Sequence, residues 1–157
     1  MFKEMATGLG VTFENLFKKP FTVQYPDEQL QMTHRFRGKH ILARHEDGLE
    51  RCVGCELCAV ACPADAIFVK AAENDPANPV SHGERYAERY EINMLRCIFC
   101  GMCEEACPVD AVELTSMFDL TGRSREEMIF DKEKLLSVYD QTKDAEPMKS
   151  RVMGASP

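Results

Sequence analysis

The sequence predicts an α+β fold: two copies of one strand–helix–strand unit packed as a pseudo-twofold domain, with an N-terminal helix, an extended arm and a C-terminal extension added to it. Three observations carry that expectation. A shift of 45 positions lays Arg51-Cys-Val-Gly-Cys-Glu-Leu-Cys-Ala-Val-Ala-Cys-Pro-Ala-Asp-Ala on Arg96-Cys-Ile-Phe-Cys-Gly-Met-Cys-Glu-Glu-Ala-Cys-Pro-Val-Asp-Ala, and nine of the nineteen positions from Arg51 to Val69 match their partners. In each copy a proline, Pro63 or Pro108, breaks the chain four residues before a short apolar stretch, Ile67-Phe-Val or Val112-Glu-Leu, that reads as a strand. Upstream of the second copy, Tyr90-Glu-Ile-Asn-Met alternates with the period of a strand.

The elements follow in order. In residues 1–20, Phe2, Met5, Leu9, Phe13, Leu16 and Phe17 recur at steps of three and four, which puts them on one helical face. Lys18 and Lys19 suit the negative end of that helix, Pro20 stops it, and Gly8 and Gly10 each weaken it by ~1 kcal/mol. The face suits either the domain core or a membrane surface or neighbouring subunit. Residues 21–48 read as an extended arm, in which His34-Arg-Phe-Arg-Gly-Lys-His and Arg44-His45 form a basic island, either solvated or docked on an acidic neighbour. The repeat domain spans 49–116, with a surface insertion at 71–89 marked by Asn74-Asp-Pro, Asn78-Pro and Ser81-His-Gly. The extension at 117–157 opens on Ser124-Arg-Glu-Glu127, a capping box ahead of Met128, Leu135, Leu136 and Tyr139, and its tail from Asp140 onward reads as loose.

Composition narrows the function. Apolar residues make up 45% and charged ones 29%, an ordinary proportion for a chain that buries a core. The longest uncharged stretch, Met5 to Phe13, is far short of the ~20 residues that cross a bilayer. A net charge of −7 argues against binding nucleic acid.

All eight cysteines, at 52, 55, 58, 62, 97, 100, 103 and 107, lie inside the repeat. Without a secretory leader, regular close spacing reads as metal ligation and not as a disulfide framework. The run C-x2-C-x2-C-x3-C-P occurs twice. Three cysteines at three-residue steps let a loop curl around three corners of an iron–sulfur cube, and in two-cluster ferredoxins the fourth cysteine of each run ligates the other cluster. The expected sets are Cys52, Cys55, Cys58 and Cys107 for one [4Fe-4S] cluster, and Cys97, Cys100, Cys103 and Cys62 for the second. Zinc would leave a third cysteine over in each copy, and no histidine follows a cysteine as haem attachment requires. His34, His40 and His45 lack ligand spacing and read as non-ligands. Arg51 and Arg96, which precede the two runs, are candidates to tune the clusters, or else surface ion-pair partners. With every iron held by thiolate, no position is left for a substrate. One-electron transfer through a bacterial-type two-[4Fe-4S] ferredoxin domain is the function that remains. No G-x-G-x-x-G is present for a dinucleotide, and flavin and quinone have no evident site.

Glu84-Arg-Tyr-Ala-Glu-Arg-Tyr-Glu-Ile-Asn-Met-Leu-Arg-Cys-Ile-Phe-Cys-Gly-Met-Cys, Arg35-Phe-Arg-Gly-Lys-His, Glu50-Arg-Cys-Val-Gly-Cys-Glu-Leu-Cys and Ala64-Asp-Ala-Ile closely resemble the two-cluster subunit of proton-pumping NADH:quinone oxidoreductase, respiratory complex I. The resemblance covers about residues 2–115 and fades after Phe118. It implies a relay subunit with no substrate site of its own. Electrons would come from the NADH-oxidising arm through the large iron–sulfur subunit and leave towards the quinone-site subunits. It also implies that residues 1–20 lie on the membrane surface against the membrane arm. The start of the chain lacks an Arg- and Ser-rich leader, so the expected place is the cytoplasmic side of a bacterial inner membrane, held peripherally. The rivals are the equivalent subunit of a membrane-bound hydrogenase or related dehydrogenase, and a soluble ferredoxin.

Overall fold

The computed structural model describes residues 2–30, 32, 33 and 35–143. The expectations for His34 and for the tail at 144–157 lie outside those residues. The chain divides into two compact units, Met1–Gln31 and Met32–Pro157.

In the first unit, α1 (Phe2–Leu16) is the helix that the three-and-four spacing predicts, and it buries none of its residues. Phe13 and Phe17, one turn apart, meet edge to face with ring centroids 5.2 Å apart. Lys18 reaches back to Glu14 at 3.6 Å, an exposed pair that contributes little. The apolar face, from Phe2 to Phe17, stands open to solvent.

The second unit holds the repeat. Its elements run β1 (His40–Leu42), α2 (Leu57–Val60), β2 (Ile67–Glu73), β3 (Arg85–Asn93), α3 (Met102–Glu105), β4 (Val112–Leu114), β5 (Ile129–Asp131) and α4 (Lys132–Thr142). The short helices begin one residue before the third cysteine of each run. Strand pairing crosses between the copies. β1, upstream of the first run, pairs antiparallel with β4, downstream of the second. β3, upstream of the second run, pairs antiparallel with β2, downstream of the first. Each copy's entering strand is thus completed by the other copy's leaving strand.

Four boundaries differ from expectation. The arm at 21–48 contains β1, whose His40, Ile41 and Leu42 are all buried; a strand buried on both faces has no alternation to betray it. The insertion at 71–89 contracts to the loop 74–84, because β2 and β3 continue as a hairpin to Glu73 opposite Arg85, with a register shift at Lys70/Ala71. Ala71 and Ala72 are weak strand formers and mask the pairing. The single capping box becomes two starts. Ser124 Oγ accepts from Glu127 N at 3.3 Å, but the turn it caps, Glu126–Met128, is one 3-10 turn. Ile129–Asp131 then pairs with β3, and α4 has its own cap, Asp131, which accepts from Lys134 N at 2.8 Å. α4 also carries order beyond Asp140, ending at Thr142.

The core gathers Leu42, Tyr90, Ile92, Leu114, Phe130 and Leu135 around Cys58 and Cys103. Each such side chain contributes about 1.5–3 kcal/mol on burial. Leu135, with none of its surface exposed, makes α4 a wall of this core. A buried ion pair ties α4 to the first run: Lys132 Nζ lies 3.0 Å from Glu50 Oε1, two residues before Cys52.

Candidate metal centres

The cysteine loops are shaped by left-handed backbone at matching positions. Gly54 (φ 64°) and Phe99 (φ 53°) hold it in the first spacer of each run, Glu56 (φ 65°) and Gly101 (φ 79°) in the second. These turns curl each loop and let backbone amides approach its sulfurs. Phe99 N donates to Cys97 Sγ at 3.3 Å. Asp65 (φ 47°) and Asp110 (φ 46°) repeat the device after the prolines. Aspartate tolerates this conformation better than most residues. The turn folds Ala66 N onto Cys62 Sγ at 3.4 Å and Ala111 N onto Cys107 Sγ at 3.2 Å.

Two cavities result. The first is walled by Cys52, Cys55, Cys58 and Cys107, with Leu42, Val69, Tyr90 and Val112 closing it. The second is walled by Cys97, Cys100, Cys103 and Cys62, with His40, Ile67 and Ile98. The last cysteine of each run therefore stands with the first three of the other. Among the described residues, no three histidine, cysteine or acidic side chains are grouped as a single metal ion would need. A cube of four irons takes its thiolates on separate metals, and each cavity is lined by four cysteines. Two four-thiol, apolar-walled cavities with amides aimed at sulfur fit a pair of [4Fe-4S] clusters.

Burial dominates the electrostatics. It pushes the Cys52 and Cys103 thiols up to about 12, and raises Cys58 and Cys97 as well. Thiolates are unfavourable there until iron supplies the compensating charge.

Two further side chains reach sulfur, and neither was singled out from sequence. Tyr90, 1% exposed, sets its hydroxyl 3.4 Å from Cys58 Sγ. Burial first, and then the neighbouring Cys58, hold its phenol well above the usual value. His40, read as a non-ligand, is buried with Nε2 3.8 Å from Cys97 Sγ and its ring 5.6 Å from that of Phe99. Burial pushes its imidazole down to about 4, so it is neutral near pH 7. The arginines before the two runs do not touch sulfur. Arg51 Nη1 lies 3.9 Å from Glu113 Oε1, and Arg96 Nη1 donates to Asp65 O at 3.4 Å. Within the basic island, Arg37 lies over Gly101 and faces Glu105 at 3.8 Å, while Gly38 and Lys39 extend the β1–β4 ladder onto Thr115 and Met117.

Residues 51–111 match the family model described as a 4Fe-4S dicluster domain. Fold and site together make this an iron–sulfur protein of the two-cluster, ferredoxin-like class, with mixed helix and sheet. NADH-quinone oxidoreductase subunit I 1 of Symbiobacterium thermophilum is 56% identical over 133 residues, 85% of this chain and 82% of that protein, and the chain belongs to the NADH-quinone oxidoreductase subunit I family. NADH-quinone oxidoreductase subunit 9 of Thermus thermophilus is 59% identical over 86 residues, 55% of this chain and 47% of that protein. The chain thus spans about half the length of this Thermus relative. Among solved structures, the membrane-bound sulfane sulfur reductase, an archaeal respiratory membrane complex, aligns with a TM-score of 0.53 and 26% identity, covering 89% of this chain and 69% of that one.

Proposed function

We propose that the chain is the electron-relay subunit of an NADH-quinone oxidoreductase, passing single electrons from the NADH-oxidising arm towards the terminal cluster beside the quinone. Supporting this reading is the grouping of Cys107 with Cys52, Cys55 and Cys58, and of Cys62 with Cys97, Cys100 and Cys103, in a chain with subunit I relatives. Each group of four is one ligand set, and the exchanged strands are the two halves of a pseudo-twofold domain. When bound, the two [4Fe-4S] clusters supply one-electron oxidation and reduction. The chain's own contribution is to fix eight sulfurs, donate amide hydrogen bonds to them and keep water out with Leu42, Val69, Ile67 and Val112. Its neighbours on this reading are the large iron–sulfur subunit, the quinone-site subunits and the membrane arm.

Attachment is peripheral, on the cytoplasmic side of a bacterial inner membrane. Among the described residues no helix is long and apolar enough to cross a bilayer, and the exposed apolar face of α1 offers a surface contact instead. The archaeal reductase is a membrane respiratory complex too, which supports the same relay role in a different assembly as the second reading. Mass spectrometry of the native complex separates the two: recovery with NADH-dehydrogenase subunits supports the first, and recovery with hydrogenase or sulfur-reductase subunits overturns it. The ligand sets are tested by paired substitutions. Cys62→Ser with Cys100→Ser should cost one cluster, and Cys62→Ser with Cys55→Ser should cost both. The reverse pattern in iron counts and EPR would mean that each run closes its own cluster.

A further inference from the structure

Resting on that reading, we infer that Tyr90 and His40 are positioning residues that set the reduction potentials of the two centres independently: the Tyr90 hydroxyl through Cys58, the His40 imidazole through Cys97. The repeat does not supply this pair. The positions 45 residues away are His45 and Arg85, which are not among the residues walling either cavity. Amide donors recur in both copies and act on both centres alike, whereas these two side chains differ in chemistry and in distance, 3.4 Å against 3.8 Å.

The direction of each contact follows from proton inventory. A Cys58 sulfur bound to iron is a thiolate with no proton to give, so the Tyr90 phenol donates across the 3.4 Å contact. A neutral imidazole carries one ring proton. Nε2 faces sulfur, while Nδ1 is buried with no hydrogen-bond partner. A proton on Nδ1 would leave two mismatches, a buried donor without acceptor and a lone pair against sulfur, so the proton belongs on Nε2 and donates to Cys97. Each reduction takes up one electron and no proton moves. The added negative charge spreads onto the thiolate sulfurs, so a donor at sulfur stabilises the reduced state more than the oxidised one and raises the potential. The shorter Tyr90 contact gives the larger effect.

The test is an EPR-monitored redox titration of the full chain, reconstituted without oxygen, with iron and sulfide counted in every sample. Tyr90→Phe, at the poise where the wild-type signal is half reduced, should lower the reduced-to-oxidised ratio of one signal about tenfold, a shift of about 59 mV for one electron. His40→Leu should lower the ratio of the other signal about threefold, and His40→Gln, which keeps a donor, should recover part of it. Additive, separate shifts in the double variant support the inference. Unchanged potentials in fully loaded variants overturn it, as do two substitutions that move the same signal. Where His40→Leu loses iron, a wild-type potential in loaded His40→Met, which also lacks a donor, overturns the His40 contact, and an unshifted loaded Tyr90→Phe overturns the Tyr90 contact. If the wild-type chain itself holds no iron–sulfur clusters, the functional reading fails and this inference falls with it, whereas unchanged potentials in loaded variants overturn this inference alone.

Discussion

Glu56 and Phe99 hold left-handed backbone, where a side chain costs ~1–2 kcal/mol and glycine costs nothing. Their partners 45 positions away are Gly101 and Gly54, so each spacer pays this strain in only one copy. Glu56 is exposed, and Glu56→Gly should raise the unfolding midpoint of the loaded chain, a gain of ~1 kcal/mol readable by thermal melting. Phe99→Gly would also lose packing on His40, so it should gain less. Gly54→Ala is the opposite case: at φ 64° its new Cβ would stand 2.8 Å from Tyr86 O, a backbone atom that cannot step aside. At Gly101 the obstacle is the Arg37 side chain, which can move, so Gly101→Ala should be the milder of the two. Iron content after expression orders them. The thiols at Cys52, Cys58, Cys97 and Cys103 are held protonated by burial, so loading iron must expel their protons. Reconstitution in weak buffer near pH 7 should therefore acidify the solution by at least those four protons per chain. Spacing alone pointed to all eight cysteines that line the two cavities. It did not point to Tyr90 and His40, because nothing in local sequence says which side chain a distant sulfur will meet.

Elements differ in how they are held. α1 carries an apolar face with nothing buried, while every cysteine lies beyond residue 50. Removing residues 1–19 should leave both clusters by iron count and EPR, yet abolish stable attachment to the membrane arm in pull-down. Loss of iron in the truncated chain would return α1 to the core. α4 is the contrary case. Lys132 meets Oε1 of Glu50, whose side chain is 9% exposed, and Glu50 Oε2 has no hydrogen-bond partner. Lys132→Ala should cost about 3 kcal/mol in urea unfolding by stranding that carboxylate, and Glu50→Met with Lys132→Met should restore much of it. The helix was legible from Leu135, Leu136 and Tyr139, but its start was not. Ile129 and Phe130 fit a helical pattern as well as a strand, and pairing with β3 decides between them. β1 was hidden for a related reason: three buried residues in a row have no period, and the basic residues around them suggest solvent.

For the molecule as a whole, eight thiols around two cavities predict about eight irons and eight sulfides, with brown absorbance bleached by dithionite. Stoichiometric zinc in a colourless protein would end that reading. On the relay reading, the isolated chain should not turn over NADH with quinone. An inhibitor-sensitive turnover by this chain alone would place chemistry here that the relay reading assigns elsewhere. The α+β class and the repeat were readable because duplication writes itself as identity at a fixed offset. How the copies interlock was not, because pairing across 70 positions, as of Leu42 with Val112, or 72, as of Ile41 with Glu113, leaves no local trace.

That interlocking also orders biosynthesis. As the chain leaves the ribosome, the first run emerges complete while its cavity still lacks a wall, and β1 waits with no strand to pair with until β4 follows. The second cavity is the first to have all its cysteines, once Cys103 is out, because Cys62 is already waiting. The first must stay open until Cys107 arrives. A nascent chain stalled between those two residues would have one closed set of four thiols and one open set of three, so only a chain grown past Cys107 presents both sets of four.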